Sequence, residues 1–352
     1  MRNVAIITDV DFWRHGSGNR VRIRSLVSYL NQYVNLTVIL INQNIQYKDN
    51  FNPSNIQFVS INNYDTKVQQ KLVKYILKKY QCDCCIVEYI HLTYLIESLP
   101  DSIKKFLDTH DIISRRNESF LEAGYKDNYT ANISFQEELD FYKIYDYILM
   151  IKAEDYDLIS KILVEPKVLL VPHASTIYKP SIRKNALNVG YVASTYLPNI
   201  DGINWFINSV WDNIKITKPT LNIYGNICSY INDYKNIKKH GFVNNVMIAY
   251  EAVDIIINPV RFGAGIKIKN IEALCAGLPL LTTTHGILGM DDAKDVALLS
   301  ADSAEQFKEL LELLLSDYDL RFRLSQQAYK YASSRFSSEV CYRNLLDKIL
   351  SS

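Results

Sequence analysis

The chain has 352 residues, 48% of them hydrophobic, with 39 Lys and Arg against 38 Asp and Glu for a net charge of +1. That length supports two domains with a core each, the composition excludes a disordered chain, and the balanced charge offers no basic surface to draw nucleic acid. No apolar run approaches the ~18 residues that a membrane helix needs, so a cytoplasmic protein is expected.

In chain order, MRNVAIITDVDFW opens with a short apolar run, Val4 to Thr8, ended by Asp9, which reads as a strand and not as a signal peptide. Further strands are predicted at Leu36–Ile41, Cys84–Tyr89, Lys105–Asp108, Tyr147–Ile151 and Val168–Val171, with helices near Arg20–Asn31, Lys67–Tyr80 and Ser134–Tyr145. Pro172 to Ala186, with two prolines and several polar residues, predicts a hinge. Beyond it, strands near Val189, Leu221 and Ile255 and at Pro279–Thr283 alternate with helices beginning near Ile200, Asn245 and Ile266. Helices near Ser303–Ser316, Asp319–Ser333 and Ser337–Ile349 close the chain. Alternating strands and helices predict two parallel sheets covered by helices, a domain at 1–172 and another at 187–336.

Several motifs have a plain reading. Cys82, Cys84 and Cys85 lack the spacing of a zinc knuckle and stand at the front of an apolar strand, so reduced, structural cysteines are expected. Gly16 and Gly18 form a glycine pair before a helix, but Arg20, Arg22 and Arg24 follow where a dinucleotide fingerprint needs its third glycine. Arg20 and Arg24 share a helix face, either solvated or facing a phosphate. Lys67, Lys71, Lys74 and Lys78 recur at helical spacing opposite Leu72, Val73, Ile76 and Leu77. A solvated face over a core stripe and a membrane-surface helix both fit that pattern.

The most informative stretch is DIIINPVRFGAGIKIKNIEALCAGLPLLTTTHGILGM, Asp254 to Met290. The β-branched run Ile255 to Ile257 reads as a strand buried on both faces and ended by Pro259. Gly263 and Gly265 then allow a tight turn and close backbone approach of a ligand, and the amides opening the next helix are free for an anion. Lys267 and Lys269 add charge, and Gly265, Lys269 and Glu272 are spaced to share one helix face. Gly277 and Pro279 stop the helix. A strand, glycine loop and helix in this order build a site for a phosphorylated nucleotide.

The pattern of glycine, small residue, glycine, two basic residues, Glu-Ala-Leu, Gly-Leu-Pro and Gly-x-x-Gly resembles the donor site of family 4 glycosyltransferases. The resemblance extends from Asn188 to Asp292, through NVGYVASTYLPNIDGINWFINSVW and HGFVNNVMIAYEAVDIIINP. It implies a retaining, metal-independent enzyme of GT-B fold, two Rossmann-like α/β domains facing each other across a cleft, with a closing helix at about 337–352 returning to the first. It also implies a nucleoside-diphosphate sugar as donor, no cofactor, and a glycan, lipid-linked or protein-linked acceptor, with peripheral membrane association open.

Residue by residue, the resemblance assigns Gly16, Gly18, Asn199, Gly263, Ala264, Gly265, Ile266, Lys267, Lys269 and Glu272 to the donor, with Glu272 on the ribose hydroxyls. Asn19, His110, Asp111 and Arg115 fall on the acceptor side, and His110, Gly18 and Lys267 on the reacting centre. His173 takes a hinge or cleft position, and His15 and His285 are looser candidates. Two departures stand out. Ala264 occupies the place of a glutamate that many members carry, as in a sub-branch with a glycine, small residue, glycine loop, and Ala193 to Asn199 lacks their diphosphate-binding arginine and lysine. Asp9-x-Asp11 resembles a metal motif of another glycosyltransferase fold and is expected to hold none here. A silent nucleotide-sugar-binding or partner-binding subunit, and a nucleotide-sugar epimerase of GT-B fold, remain as alternatives.

Overall fold

The computed structural model describes residues 1–14, 16–43, 55–125, 132–165, 167–216, 219–263 and 265–351; His15 and Ala264 lie outside the described residues. The chain divides into two compact units, Met1–Ala174 with Cys341–Ser352, and Ser175–Val340.

The first unit runs β1 (Asn3–Thr8), α1 (Gly18–Leu30), β2 (Asn35–Ile41), β3 (Ile56–Ile61), α2 (Thr66–Lys79), β4 (Cys84–Glu88), β5 (Lys104–Asp108), α3 (Ile113–Glu122), α4 (Phe135–Tyr142), β6 (Tyr147–Met150), α5 (Ala153–Ile162) and β7 (Lys167–Leu170). Its seven strands lie in the order β3-β2-β1-β4-β5-β6-β7, and every pairing is parallel. Because successive side chains alternate across a strand, Val4 and Ile6 enter one core and Ala5 and Ile7 the other.

The second unit runs β8 (Asn188–Val192), α6 (Leu197–Ser209), β9 (Thr220–Tyr224), β10 (Ile237–Gly241), α7 (Met247–Ala252), β11 (Ile255–Asn258), α8 (Ile268–Cys275), β12 (Leu280–Thr282), β13 (Leu299–Ser300), α9 (Ala304–Ser316) and α10 (Tyr318–Arg335). Its sheet is also parallel, in the order β10-β9-β8-β11-β12-β13. A last helix, α11 (Ser338–Ser351), packs Cys341, Tyr342, Leu345, Leu346 and Ile349 into the first unit's core.

Each sheet reverses its strand order once, between β1 and β4 in the first unit and between β8 and β11 in the second. In open parallel sheets ligands gather outside the carboxyl ends of the strands at such a point. The residues that follow β1, β4, β8 and β11 therefore stand where a ligand would gather.

Three strands escape the sequence reading, and all are short or poorly buried. β3 is an edge strand whose residues are mostly half-buried, β10 is the edge segment IKKHG, and β13 has two residues. An edge strand lacks the continuous apolar run of a doubly covered one. Helices α3 and α5 likewise carry little apolar signal in sequence, burying four and two residues respectively.

Candidate functional site

At the end of β11 the chain passes Pro259 and turns through Gly263, whose φ of 100° lies in the left-handed region that favours glycine. A Cβ there would meet Pro198 at 3.3 Å, because the loop rests against the start of α6. Gly202 permits a closer approach, since a Cβ on it would stand 2.5 Å from the Pro259 carbonyl oxygen. The loops after β8 and β11 are thus packed together by residues that resist enlargement.

Side chains fix this loop from beneath. Thr283 Oγ1 donates to the Val260 carbonyl, and Thr282 Oγ1 to that of Asn258 at 2.6 Å. Asn258 Nδ2 donates to Asn270 Oδ1 at 2.8 Å, and Asn270 Nδ2 to the Gly286 carbonyl at 2.8 Å. His285 Nε2 lies 2.6 Å from the Gly263 carbonyl oxygen. Lys267 folds its ammonium back on the loop, donating to the carbonyls of Gly263 (2.9 Å) and Gly265 (2.6 Å). Ile266 is half-buried against the core.

Helix α8 begins at Ile268, so Gly265 stands in the loop, which corrects the expectation that it shares a helix face with Lys269 and Glu272. Those two do share one. Lys269 Nζ donates to Asn199 Oδ1 and sits 5.1 Å from the centre of the Tyr191 ring. Tyr250 donates its hydroxyl to Glu272 Oε2 at 2.8 Å. Burial pushes the Lys269 ammonium down to about 7 against the pull of Glu272. Burial likewise lifts the Glu272 carboxyl to about 7, with Tyr250 and Lys269 opposing.

Helices α6 and α8 both begin without a side-chain cap, as α1, α3, α5 and α7 also do. In α8 the Ile268 and Asn270 amides are bonded to the Ile266 and Lys267 carbonyls, so what the helix start offers an anion is its dipole. The ends of β8 and β11 bring that helix start, two lysines and a tethered carboxylate into one fold feature.

In the first unit, Glu88 and Asp108 are side-by-side partners across β4 and β5, both fully buried. Two buried carboxylates at this distance repel unless each is compensated. Arg22 takes both oxygens of Asp108, at 2.8 and 2.9 Å, and His110 Nε2 lies 2.7 Å from Glu88 Oε2. Burial and the neighbouring Asp108 raise the Glu88 pKa, opposed by His110 and Arg22. Glu88, Asp108 and His110 bring ligand-type atoms within 4.8 Å of one another. The sequence shows no such cluster, because its members come from different strands. Arg22 bonds both oxygens of Asp108 and His110 meets one oxygen of Glu88, whose Oε1 has no hydrogen-bond partner.

Tyr89 and His110 both have positive φ, 74° and 61°, and their rings stack with centroids 4.0 Å apart. The Tyr89 hydroxyl hydrogen-bonds the Asn19 side chain. Tyr89 and Asn19 line a cavity of about 1360 Å³ that lies wholly within this unit, together with Ser17, Arg20, His91 and Arg116. His110 lies beneath Tyr89 and is not among the lining residues, nor are Gly16, Gly18, Asp111 or Arg115. Gly18 opens α1, and Gly16 has a φ of 114° in the turn before it. Arg115 is exposed, while its neighbour Arg116 pairs with Asp111 at 3.1 Å.

Other candidates fall elsewhere. Arg20 pairs with Asp11, and Asp9 with His91 at 2.8 Å, so the Asp9-x-Asp11 carboxylates are both engaged. His173 is a core residue, with neither ring nitrogen hydrogen-bonded, and burial lowers its pKa to about 3; it is not a cleft residue. Among the described residues the six cysteines are free, and five of them, including Cys82, Cys84 and Cys85, are buried; burial pushes the Cys82 thiol to about 11 and that of Cys85 to about 12. No described helix is long and apolar enough to cross a membrane.

Residues 186–317 match the family described as glycosyl transferases, group 1. A protein encoded in the cps region of Klebsiella pneumoniae, of 44.6 kDa, is 25% identical over 236 residues, 60% of this chain. The chain spans 59% of the length of that relative. Sucrose-phosphate synthase from Thermosynechococcus elongatus superposes with a TM-score of 0.76 at 13% identity, over 99% of this chain and 100% of that one. Anabaena HepE in complex with UDP and glucose gives 0.76 at 11% identity over 100% of both chains. WaaG, a glycosyltransferase involved in lipopolysaccharide biosynthesis, gives 0.68 at 16% identity over 99% of this chain and 100% of that one. With two parallel Rossmann-like sheets and these neighbours, the chain has the α/β GT-B fold, and the stretch that matches the group 1 glycosyl transferase family lies within its second unit.

Proposed function

We propose that the protein is a retaining glycosyltransferase that moves a sugar from a nucleoside diphosphate to a hydroxyl of a glycan or lipid-linked saccharide, in the synthesis of a polysaccharide or glycoconjugate. The observation that carries this reading is the feature after β11: a glycine turn, an uncapped helix start, Lys267 and Lys269, and Glu272 held by Tyr250. A helix dipole and ammonium groups suit the diphosphate, and a fixed carboxylate suits the paired hydroxyls of a ribose. The similar Anabaena protein binds UDP and glucose, which makes UDP-sugars the first donors to try.

In the reaction the bond between the sugar C1 and the diphosphate oxygen breaks, and a bond from C1 to the acceptor oxygen forms on the same face. The acceptor proton passes to the departing diphosphate, so no protein nucleophile, metal or cofactor is invoked. Lys267, Lys269 and the positive end of the α8 dipole stabilise the charge that builds on the leaving group. The first unit takes the acceptor, with His110 close to the reacting hydroxyl. Lys67, Lys71, Lys74 and Lys78 on α2 are all exposed beside Tyr75, and this row suits contact with an anionic membrane when the acceptor is lipid-linked.

Calorimetric titration of the whole chain with UDP-, GDP-, dTDP-, ADP- and CMP-sugars, without metal, tests the donor assignment. One nucleotide class is expected to bind, with affinity reduced at least tenfold in Glu272→Ala. Absence of binding across the panel overturns the assignment and favours a partner-binding subunit.

A further inference from the structure

The cavity of the first unit carries information on the class of acceptor, given the reading that this unit takes the acceptor. Its 1360 Å³ exceeds the roughly 300–1,000 Å³ of pockets that enclose drug-sized ligands, so there is room for more than one sugar ring. Five carboxylates line it, on Asp9, Asp11, Glu97, Glu137 and Asp140, against the guanidiniums of Arg20 and Arg116.

Both guanidiniums are paired with a carboxylate, although Arg116 Nε has no hydrogen-bond partner of its own. Arg20 is bound by Asp11 at 2.5 Å and Arg116 by Asp111 at 3.1 Å, while His91 is held by Asp9 at 2.8 Å. Glu137 closes the capping box of α4 with Ser134, and Asp140 has Lys143 beside it at 2.7 Å, outside the lining. Five carboxylates against two paired guanidiniums make the field in the cavity negative. A phosphate or carboxylate entering it would meet net repulsion.

The apolar part of the lining points the same way. Tyr94 donates its hydroxyl to Gln69 at 2.5 Å, and the Tyr89 hydroxyl is bonded to Asn19. With its hydroxyl engaged, what Tyr94 offers a ligand is ring surface, joined by the 37% exposed Phe141, whereas the Tyr89 ring is stacked against His110 and His91. Aromatic surface beside hydrogen-bond acceptors is the environment that suits the apolar face and the hydroxyl donors of a sugar ring.

We infer that the cavity of the first unit is an acceptor subsite for an uncharged saccharide and discriminates against sugars bearing phosphate or carboxylate groups. Saturation-transfer NMR on the full chain tests this with matched probes: methyl glucoside, methyl galactoside, N-acetylglucosamine and lactose against glucose 6-phosphate, galactose 6-phosphate and glucuronic acid. Transfer is expected to at least one neutral probe, at least tenfold tighter than to its charged counterpart. It should be lost in Phe141→Ala, a half-exposed position where thermal melting confirms folding. A double substitution, Glu97→Lys with Asp140→Lys, should bring in the charged counterpart.

Charged probes binding as well as neutral ones, with loss in Phe141→Ala, overturn the neutral class and leave the acceptor reading standing. No transfer to any probe, in protein that binds a nucleotide sugar, overturns the cavity as acceptor subsite and leaves the donor assignment intact.

Discussion

His110 Nε2 lies 2.7 Å from Glu88 Oε2, and the Glu88 carboxylate is itself the cross-strand neighbour of Asp108. The contact commits Nε2 of His110 to the protein. Together with the Tyr89 stack it holds the histidine at a φ of 61°.

Removing the Glu88 partner should therefore reduce turnover more than donor affinity. Glu88→Ala is expected to lower kcat about ten- to a hundredfold with donor Kd unchanged, and Glu88→Gln, whose amide oxygen still accepts from Nε2, should recover part of the loss. Steady-state kinetics beside donor titration check this; wild-type kcat in Glu88→Ala would show that His110 does not depend on the carboxylate.

Lys267 is tied to two loop carbonyls, so its loss both removes a charge and frees the glycine turn. Lys267→Ala should weaken nucleotide-sugar binding about tenfold, in line with loss of a charge-assisted contact. The wild type should also lose affinity with added salt more steeply than the variant. Equal salt dependence in the two proteins would place Lys267 away from the diphosphate.

Glu272 gives a stability prediction with a definite sign. Its pKa rises from an ordinary 4.5 to about 7 on folding, so the folded state holds the proton more tightly than the unfolded one. Stability from this group is present at low pH and is lost as pH rises from 4.5 through about 7. Glu272→Gln stays neutral throughout, so its Tm should exceed that of the wild type by more at pH 8 than at pH 5, even as donor binding falls. A Tm difference independent of pH would remove the argument.

His173 works in the opposite direction. Its pKa is depressed to about 3 by burial, with smaller contributions from Arg22 and His110, so the unfolded state takes up the proton first as pH falls below the ordinary 6.5. Stability is then lost progressively from 6.5 down to about 3, on the order of several kcal/mol at the low end. His173→Leu should flatten this part of the acid-denaturation curve, measured by urea unfolding between pH 4 and 7. A slope identical to that of the wild type would show that other groups set it.

What could be read from the residues was what is local in the chain. The strand, turn and helix from Ile255 to Cys275 lie within one short stretch, and every strand that is buried on both faces announced itself by an apolar run. The start of α8 was misplaced because Lys267, which reads as helical, is used as its N-cap at φ −87° and ψ 84°. Tyr250 could not be linked to Glu272 from sequence, since the contact spans 22 residues and depends on how α7 and α8 pack. The network of Arg22, Glu88, Asp108 and His110 draws on α1, β4 and β5, and only parallel strand pairing brings them together. Of the three arginines that open α1, spacing places Arg20 and Arg24 on one face, either solvated or facing a phosphate, and the buried one is Arg22, selected by a carboxylate 86 residues away.

The central claim is sugar transfer from a nucleotide with retention of configuration. Its most direct test is a time course of proton NMR spectra on the whole chain with the donor that binds and a set of neutral glycan acceptors, following the anomeric signals. The account predicts release of nucleoside diphosphate with a new anomeric signal of the donor's own configuration, absent in Glu272→Ala. An inverted anomeric signal would contradict retention, a new sugar formed without acceptor would indicate an epimerase, and a bound donor left unchanged with every acceptor would contradict transfer itself.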